Sequence, residues 1–253
     1  MKITFLGTGT SQGVPVIACN CAVCLSLDKN DKRLRSSVLI ESDEKTVIID
    51  TGPDFRYQML RENIQKLDAV VFTHPHKDHI AGLDDIRAFN FKQKSEMAIY
   101  ANLATQESLK REFYYIFSDF KYPGIPLIKF YDIDNDVFEI GDISIQPIEV
   151  MHFKMPVLGF RIKDFTYITD AKTISELEKE KIKGTKILVL NALQKEKHIS
   201  HFTFDEAVAF AQEINAQQTY FTHISHKLGT HKNISAELPA GISLAYDGLN
   251  FEI

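Results

Sequence analysis

His74-Pro75-His76-Lys77-Asp78-His79 stands directly behind an apolar run, Ala69-Val70-Val71-Phe72. Three imidazoles and a carboxylate thus fall within six residues at the end of a predicted buried strand. A chain with this motif must fix that strand in a sheet, with its end facing further donors. Neutral imidazole and carboxylate suit zinc, manganese and iron, and a strand end is a rigid support for them. A solvated charge run would not place three histidines at these offsets behind an apolar strand.

The same arrangement recurs along the chain. Strand-like runs are predicted at Ile3–Leu6, Ser37–Glu41, Thr46–Ile49, Ala69–Phe72, Met97–Tyr100, Ile143–Glu149, Gly159–Ile162, Tyr167–Thr169, Ile187–Leu190, Thr219–Phe221 and Leu244–Tyr246. Helical patterns are predicted at Asp54–Asn63, Ala104–Ile116, Ser175–Lys181 and Thr203–Asn215, the last with a Thr203/Glu206 capping box. Tyr122-Pro123-Gly124-Ile125-Pro126 reads as a turn or loop. The second half loosely repeats the order of the first. That predicts an α/β fold with two sheets covered by helices, built as one domain over residues 1–253.

Three more predicted strands end in a possible ligand: His152 after Ile143–Val150, Asp170 after Tyr167-Ile168-Thr169, and His223 after Tyr220-Phe221-Thr222. Taken singly, a histidine at a strand end is usually a hydrogen-bonded surface or core residue. Gathered on one sheet edge, these residues and the first motif supply five histidines and two aspartates. Two divalent metals could share such a set and keep open positions for water and substrate.

A second cluster is Cys19-Asn20-Cys21-Ala22-Val23-Cys24. All three cysteines of the chain lie here, which is not the distribution of a secreted disulfide framework. Small buried thiols are one reading, and a disulfide is another, although it leaves one cysteine over and strains the C-x-C ring. Three thiolates of a structural zinc site are the third, with a fourth ligand to be found elsewhere. His226, three residues after His223, is a candidate for it.

His74, His76, Asp78 and His79 resemble the signature of the metallo-β-lactamase fold superfamily. Asp50-Thr51-Gly52 resembles that superfamily's aspartate at a strand end, which orients ligands from behind. The resemblance runs the length of the chain in order and implies an αββα sandwich with a dinuclear site at the sheet edge. It implies that His74, His76 and His152 hold one metal, that Asp78, His79 and His223 hold the other, and that Asp170 bridges them. Asp78 would then count among the catalytic residues as well. A bridging aspartate with no cysteine among these ligands resembles the hydrolase and phosphodiesterase branches more than the β-lactamases proper.

The Cys19–Cys24 cluster, together with Thr222-His223-Ile224-Ser225-His226, is similar to the phosphoribosyl cyclic phosphate phosphodiesterases of phosphonate catabolism. Gly7-Thr8-Gly9-Thr10-Ser11-Gln12-Gly13-Val14-Pro15 and Gly82-Leu83-Asp84-Asp85-Ile86-Arg87 match the same subgroup. The similarity implies a structural zinc held by Cys19, Cys21, Cys24 and His226. It also implies a histidine general acid at His201, in the run His198-Ile199-Ser200-His201, beside a hydroxide held by two zinc or manganese ions. Two divalent cations against two aspartates and a hydroxide leave a net positive site, which suits a small anionic phosphodiester.

The glycines at 7 and 9 are not a dinucleotide loop, because Gln12 stands where the third glycine is needed. Arg33, Arg35 and Arg87 are candidates for contact with a second phosphate; His231 reads first as a structural loop residue and second as a substrate contact. His198 reads as a supporting or surface residue.

Net charge is −5 over 253 residues, with no electrostatic footprint for nucleic acid. A tRNA-maturing endonuclease of the same superfamily would carry a basic, glycine-rich arm, which residues 85–140 lack. A pyrroloquinoline-quinone-biosynthesis-like binding protein would have an altered ligand set. Lactone or thioester hydrolysis stays open, because a dinuclear site does not by itself choose between carbonyl and phosphoryl substrates. Met1-Lys2-Ile3-Thr4-Phe5-Leu6-Gly7 leads straight into a strand-like run, and no window has the length of a membrane span. A cytoplasmic protein with no membrane partner is expected, with a homodimer as the default assembly.

Overall fold

A computed structural model describes residues 1–119 and 122–253. Its strands, in chain order, are β1 (Lys2–Gly7), β2 (Ser37–Glu41), β3 (Thr46–Ile49), β4 (Ala69–Val71), β5 (Met97–Ala101), β6 (Ile128–Asp132), β7 (Phe138–Ile140), β8 (Ile143–His152), β9 (Met155–Ile162), β10 (Phe165–Ile168), β11 (Ile187–Asn191), β12 (Gln218–Thr222), β13 (Ile242–Leu244) and β14 (Asn250–Glu252). They form two sheets, ordered β14-β1-β2-β3-β4-β5-β6 and β13-β12-β11-β10-β9-β8-β7. In each, antiparallel strands lead into four parallel ones, β3 to β6 and β10 to β13.

The period-2 pattern of the strands builds the layers. Val47 and Ile49 of β3, Ala69 and Val71 of β4, Phe165 and Tyr167 of β10 and Val189 of β11 meet in one core between the sheets. Their alternates Ile48, Val70 and Phe72 pack outward under the helices of the first half. Ile168, Leu188 and Leu190 do the same under those of the second half. Both faces of each central strand are therefore buried, as parallel strands require. The result is the αββα sandwich.

Parallel strands need crossover helices. Phe55–Arg61 joins β3 to β4, Glu176–Ile182 joins β10 to β11, and Phe204–Ile214 joins β11 to β12. The last buries Phe204, Ala207, Phe210 and Ala211, and the Thr203/Glu206 capping box closes its start in both directions. Such a cap is worth about 1 kcal/mol. The predicted helix over 104–116 is two helices, Leu103–Glu112 and Tyr114–Phe117, broken at Phe113.

Three strands lack a matching run in the sequence: β6, β7 and β14. All three are sheet edges. β6 and β14 are half-exposed or exposed at every position, so no apolar alternation marks them, and only their pairing with β5 and β1 makes them strands. Among the described residues no helix is long and apolar enough to cross a membrane.

Candidate metal centre

The carboxyl ends of β3, β4, β10 and β12 open on one edge, where parallel sheets place their ligands. Asp50, Asp170 and His223 follow these strands with φ of 65°, 60° and 54°. Left-handed backbone is costly for residues with a side chain and persists where surrounding structure enforces it. At all three positions it turns the chain sharply at the strand end. The loops it creates are tight: a Cβ on Gly52 would lie 2.2 Å from the Asp78 carbonyl oxygen, and one on Gly82 2.2 Å from that of Gly52. Glycine is required for those backbones to touch.

The geometry brings the predicted donors together. His74 Nε2 lies 3.4 Å from Asp170 Oδ2, and so does His79 Nε2. His79 Nε2 is 3.1 Å from Asp78 Oδ2, and His223 Nδ1 is 3.0 Å from Asp170 Oδ1. Donor atoms of Asp78, His79, Asp170 and His223 fall within 4.8 Å of one another, as do those of His74, His76 and Asp170. His152 groups instead with Asp170 and His201, while its ring centroid stays 5.1 Å from that of His76. Asp170 is common to all three groups.

His79, His74 and His152 each commit Nδ1 to a partner behind the cage. His79 Nδ1 donates to Asp50 Oδ2 at 2.7 Å. His74 Nδ1 donates to Thr73 Oγ1 at 2.9 Å, and that hydroxyl donates on to Asp50 at 2.8 Å. His152 Nδ1 faces the carbonyls of Asp170 and Ser200, both at 3.0 Å. His74 Nε2 and His79 Nε2 are buried and make no hydrogen bond, with only the cage carboxylates of Asp78 and Asp170 near them. An unpaired imidazole nitrogen costs free energy in such a place unless something binds it. Divalent cations fit these residues on that ground.

The electrostatics point the same way. Burial lowers His74 and His223, so both resist protonation. Burial would also lower His79, but Asp78, Asp170 and Asp50 together lift it well above the usual imidazole value. Burial pushes the Asp78 carboxyl up, yet His79 brings it well below the carboxylate range. Burial opposes Asp170 ionising too, and His223 and His79 override it. The cage therefore demands buried positive charge, met by a proton on His79 or by cations.

His201 is buried, with its ring 4.5 Å from His152 and 4.9 Å from His223. Its Nδ1 has no partner. Burial pushes it far down, so the resting imidazole is neutral.

The three thiols are free, and all point at one nitrogen. Sγ of Cys19, Cys21 and Cys24 lies 3.2, 3.4 and 3.5 Å from His226 Nδ1. A tetrahedral zinc would hold sulfur and nitrogen about 3.6 Å apart, given its usual bond lengths. The Cys24 amide draws the Cys21 thiol down to about 6, and burial pushes Cys24 up to about 11. The loop carrying these cysteines is tied to the His223–His226 segment, since Thr10 N donates to Ile224 O and Ile224 N to Thr8 O.

The candidate substrate arginines are otherwise engaged. Arg33 is buried and donates to Thr8 Oγ1, the Ala245 carbonyl and His231 Nδ1. Arg35 pairs with Asp54 at 3.0 Å, and Arg87 with Asp84 at 3.2 Å. Several working residues had no signal in the sequence. Thr73 links His74 to Asp50. Thr10 and Ser36 flank the two nitrogens of His223 at 3.2 and 3.3 Å. Asn191 clamps the backbone beside Asp170, accepting from Ala171 N and donating to its carbonyl. A hydroxyl or amide beside a strand end was the only clue to them.

This fold and donor set define a protein of the metallo-β-lactamase type with a candidate multi-metal site. The chain belongs to the β-lactamase superfamily: residues 45–224 match the model of the beta-lactamase superfamily domain. A solved structure of a new diphosphatase from the PhnP family is 42% identical over 100% of this chain and 97% of its own, with a TM-score of 0.94. An octanoyltransferase of Porphyromonas gingivalis is 38% identical over 98% of this chain and 51% of its own length. Zn(2+)-bound PqqB from Methylobacterium extorquens shares the fold at 19% identity, TM-score 0.82, with both chains fully covered. The chain spans about half the length of the curated relatives it matches.

Proposed function

We propose that the protein hydrolyses a small phosphodiester, such as a cyclic ribose phosphate, at a dinuclear centre of zinc or manganese. The observation that carries this reading is the convergence of His74 Nε2 and His79 Nε2, neither of them hydrogen-bonded, on Asp170 Oδ2. His74, His76 and His152 would hold one cation and Asp78, His79 and His223 the other, with Asp170 available to both. The likeness to the PhnP-family diphosphatase supports phosphoryl over carbonyl chemistry. A third cation, structural zinc, is assigned to Cys19, Cys21, Cys24 and His226.

When bound, the two cations supply a nucleophilic water at neutral pH and positive charge for the phosphoryl oxygens. The chain supplies the rest. Asp50 and Thr73 fix the ring tautomers of His79 and His74. The Asp170 and Ser200 carbonyls do the same for His152. His201, neutral at rest, stands beside His152, where a bound phosphodiester anion raises its proton affinity. It takes up a proton from solvent in that complex and passes it to the leaving oxygen, returning to the neutral imidazole.

A panel on metal-reconstituted protein tests this: a cyclic ribose phosphate, an aryl phosphodiester, precursor tRNA, a lactone and an octanoyl thioester. Turnover of small diesters is expected. Fast thioester or lactone hydrolysis without any diesterase activity would overturn the reading. Acyl chemistry is the second candidate because of the Porphyromonas gingivalis octanoyltransferase. The tRNA reading ranks below both. The described residues of 85–140 are taken up by short helices and the strands β5 to β7, and Phe120 and Lys121 lie outside them. The molecule is assigned as one cytoplasmic domain, with homodimerisation left to sizing measurements.

A further inference from the structure

The hairpin joining β8 to β9 has a two-residue loop, Phe153-Lys154, closed by the pair His152 and Met155. Phe153, the first loop residue, has φ 57°. Tight hairpin loops take glycine, asparagine or aspartate at such positions. A phenylalanine held there is strained. It does not offset that strain by core packing, because its side chain is 51% exposed. Strain without burial, one residue from His152, is a mark of function rather than folding.

A second exposed apolar residue stands nearby. Ile199 is 66% exposed and adjoins Ser200, whose carbonyl faces His152 Nδ1. Phe153 and Ile199 line one depression of about 460 Å³, together with His76, His152, Lys154 and Met155. That volume suits a small-molecule site. Its floor is the solvent-facing side of the metal cage, and Ile199 lies two residues from His201. Lys154 Nζ sits 5.5 Å from the Phe153 ring centre and adds positive charge to the lip.

We propose that Phe153 and Ile199 form a specificity lip that grips a flat aromatic group, of nucleobase size, attached to the phosphodiester. This rests on the phosphodiesterase reading and deepens it. An aliphatic chain laid on so exposed a lip would leave much of its surface in water. A flat ring needs only its two faces covered, and Phe153 offers a π surface for one of them. Stacking of a base on an aromatic side chain corresponds to roughly 5- to 150-fold in affinity.

The chain has no tryptophan, so Phe153→Trp installs a single indole reporter at the lip. With metal-loaded protein, adenosine 5′-monophosphate should quench it saturably, at least about five-fold more tightly than ribose 5-phosphate. In parallel, kcat/KM is compared for adenosine 2′,3′-cyclic phosphate and for methyl riboside 2,3-cyclic phosphate, which lacks the base. Phe153→Ala and Ile199→Ser should each cut the preference for the adenosine diester by about five-fold or more, chiefly through KM. Equal quenching by both phosphates, tighter quenching by octanoate, or an unchanged preference would overturn the lip. If wild-type protein turns over neither diester, the phosphodiesterase reading falls, and the quenching result still decides the lip by itself.

Discussion

The Asp50 carboxylate accepts a hydrogen bond from His79 Nδ1 at 2.7 Å, with both side chains fully buried. The same carboxylate takes the amide and hydroxyl of Thr73, at 2.9 and 2.8 Å. One side chain that faces away from the cage thus sets the tautomers of two histidines that face into it.

Asp50→Asn keeps the shape of that contact and removes its charge. Cation affinity should fall by roughly 10- to 100-fold, the usual effect of losing a partner behind a metal histidine. Chelator competition followed by metal analysis measures it. Unchanged retention of both active-site metals would show that Asp50 does not orient ligands.

His201 lies close enough to His152 and Asp170 to serve as a ligand, so its role as proton donor needs separating from metal binding. His201→Ala should retain the full metal complement. It should slow diesters with alkoxide leaving groups by about 10²- to 10⁴-fold, and nitrophenyl diesters far less. Loss of a metal, or equal slowing of both substrates, would reassign it.

Cys21→Ser should remove one zinc per chain and leave the two active-site metals in place. Thermal stability should drop, because structural zinc contributes to folding outright. Metal analysis of Cys21→Ser beside His74→Ala should show losses from different sites. An unaltered zinc content in Cys21→Ser would remove the structural site.

The side chain of Asp247, only 10% exposed, accepts from Thr8 Oγ1 and from the Leu34 amide at 2.8 and 2.7 Å. Burial pushes it up to about 6. A raised carboxyl favours the folded state fully below the unfolded value of 3.8, and that contribution is lost as pH rises through about 6. Relative to wild type, Asp247→Asn should therefore gain stability between pH 4 and pH 7, by on the order of 3 kcal/mol. Denaturant midpoints at both pH values test the slope, and a pH-independent difference would contradict it.

The central strands were legible because each is buried on both faces and carries a continuous apolar run. Thr46–Ile49 was read to the residue. The edge strands β6 and β14 were not legible, since half-exposed strands carry no alternation and are defined by their neighbours. The short helix Lys77–Ile80 was hidden inside the metal motif, where ligand spacing outweighs any amphipathic pattern. Arg33 looked like a phosphate contact because a sequence does not reveal burial; its three hydrogen bonds hold it inside the fold.

By itself the sequence determined the kind of chemistry. Six residues with three imidazoles and a carboxylate behind an apolar strand fix the donor types and their local spacing, which are properties of neighbouring residues. Only the tertiary structure decided which donors meet. Asp170 lies roughly a hundred residues from His74 along the chain, yet their side chains are 3.4 Å apart because β4 and β10 open on the same edge. The same folding set the tautomers through Asp50 and Thr73, gathered three thiols on His226, and placed Phe153 and Ile199 on one lip. Distances between remote side chains follow from how two sheets pack, and no local pattern encodes them.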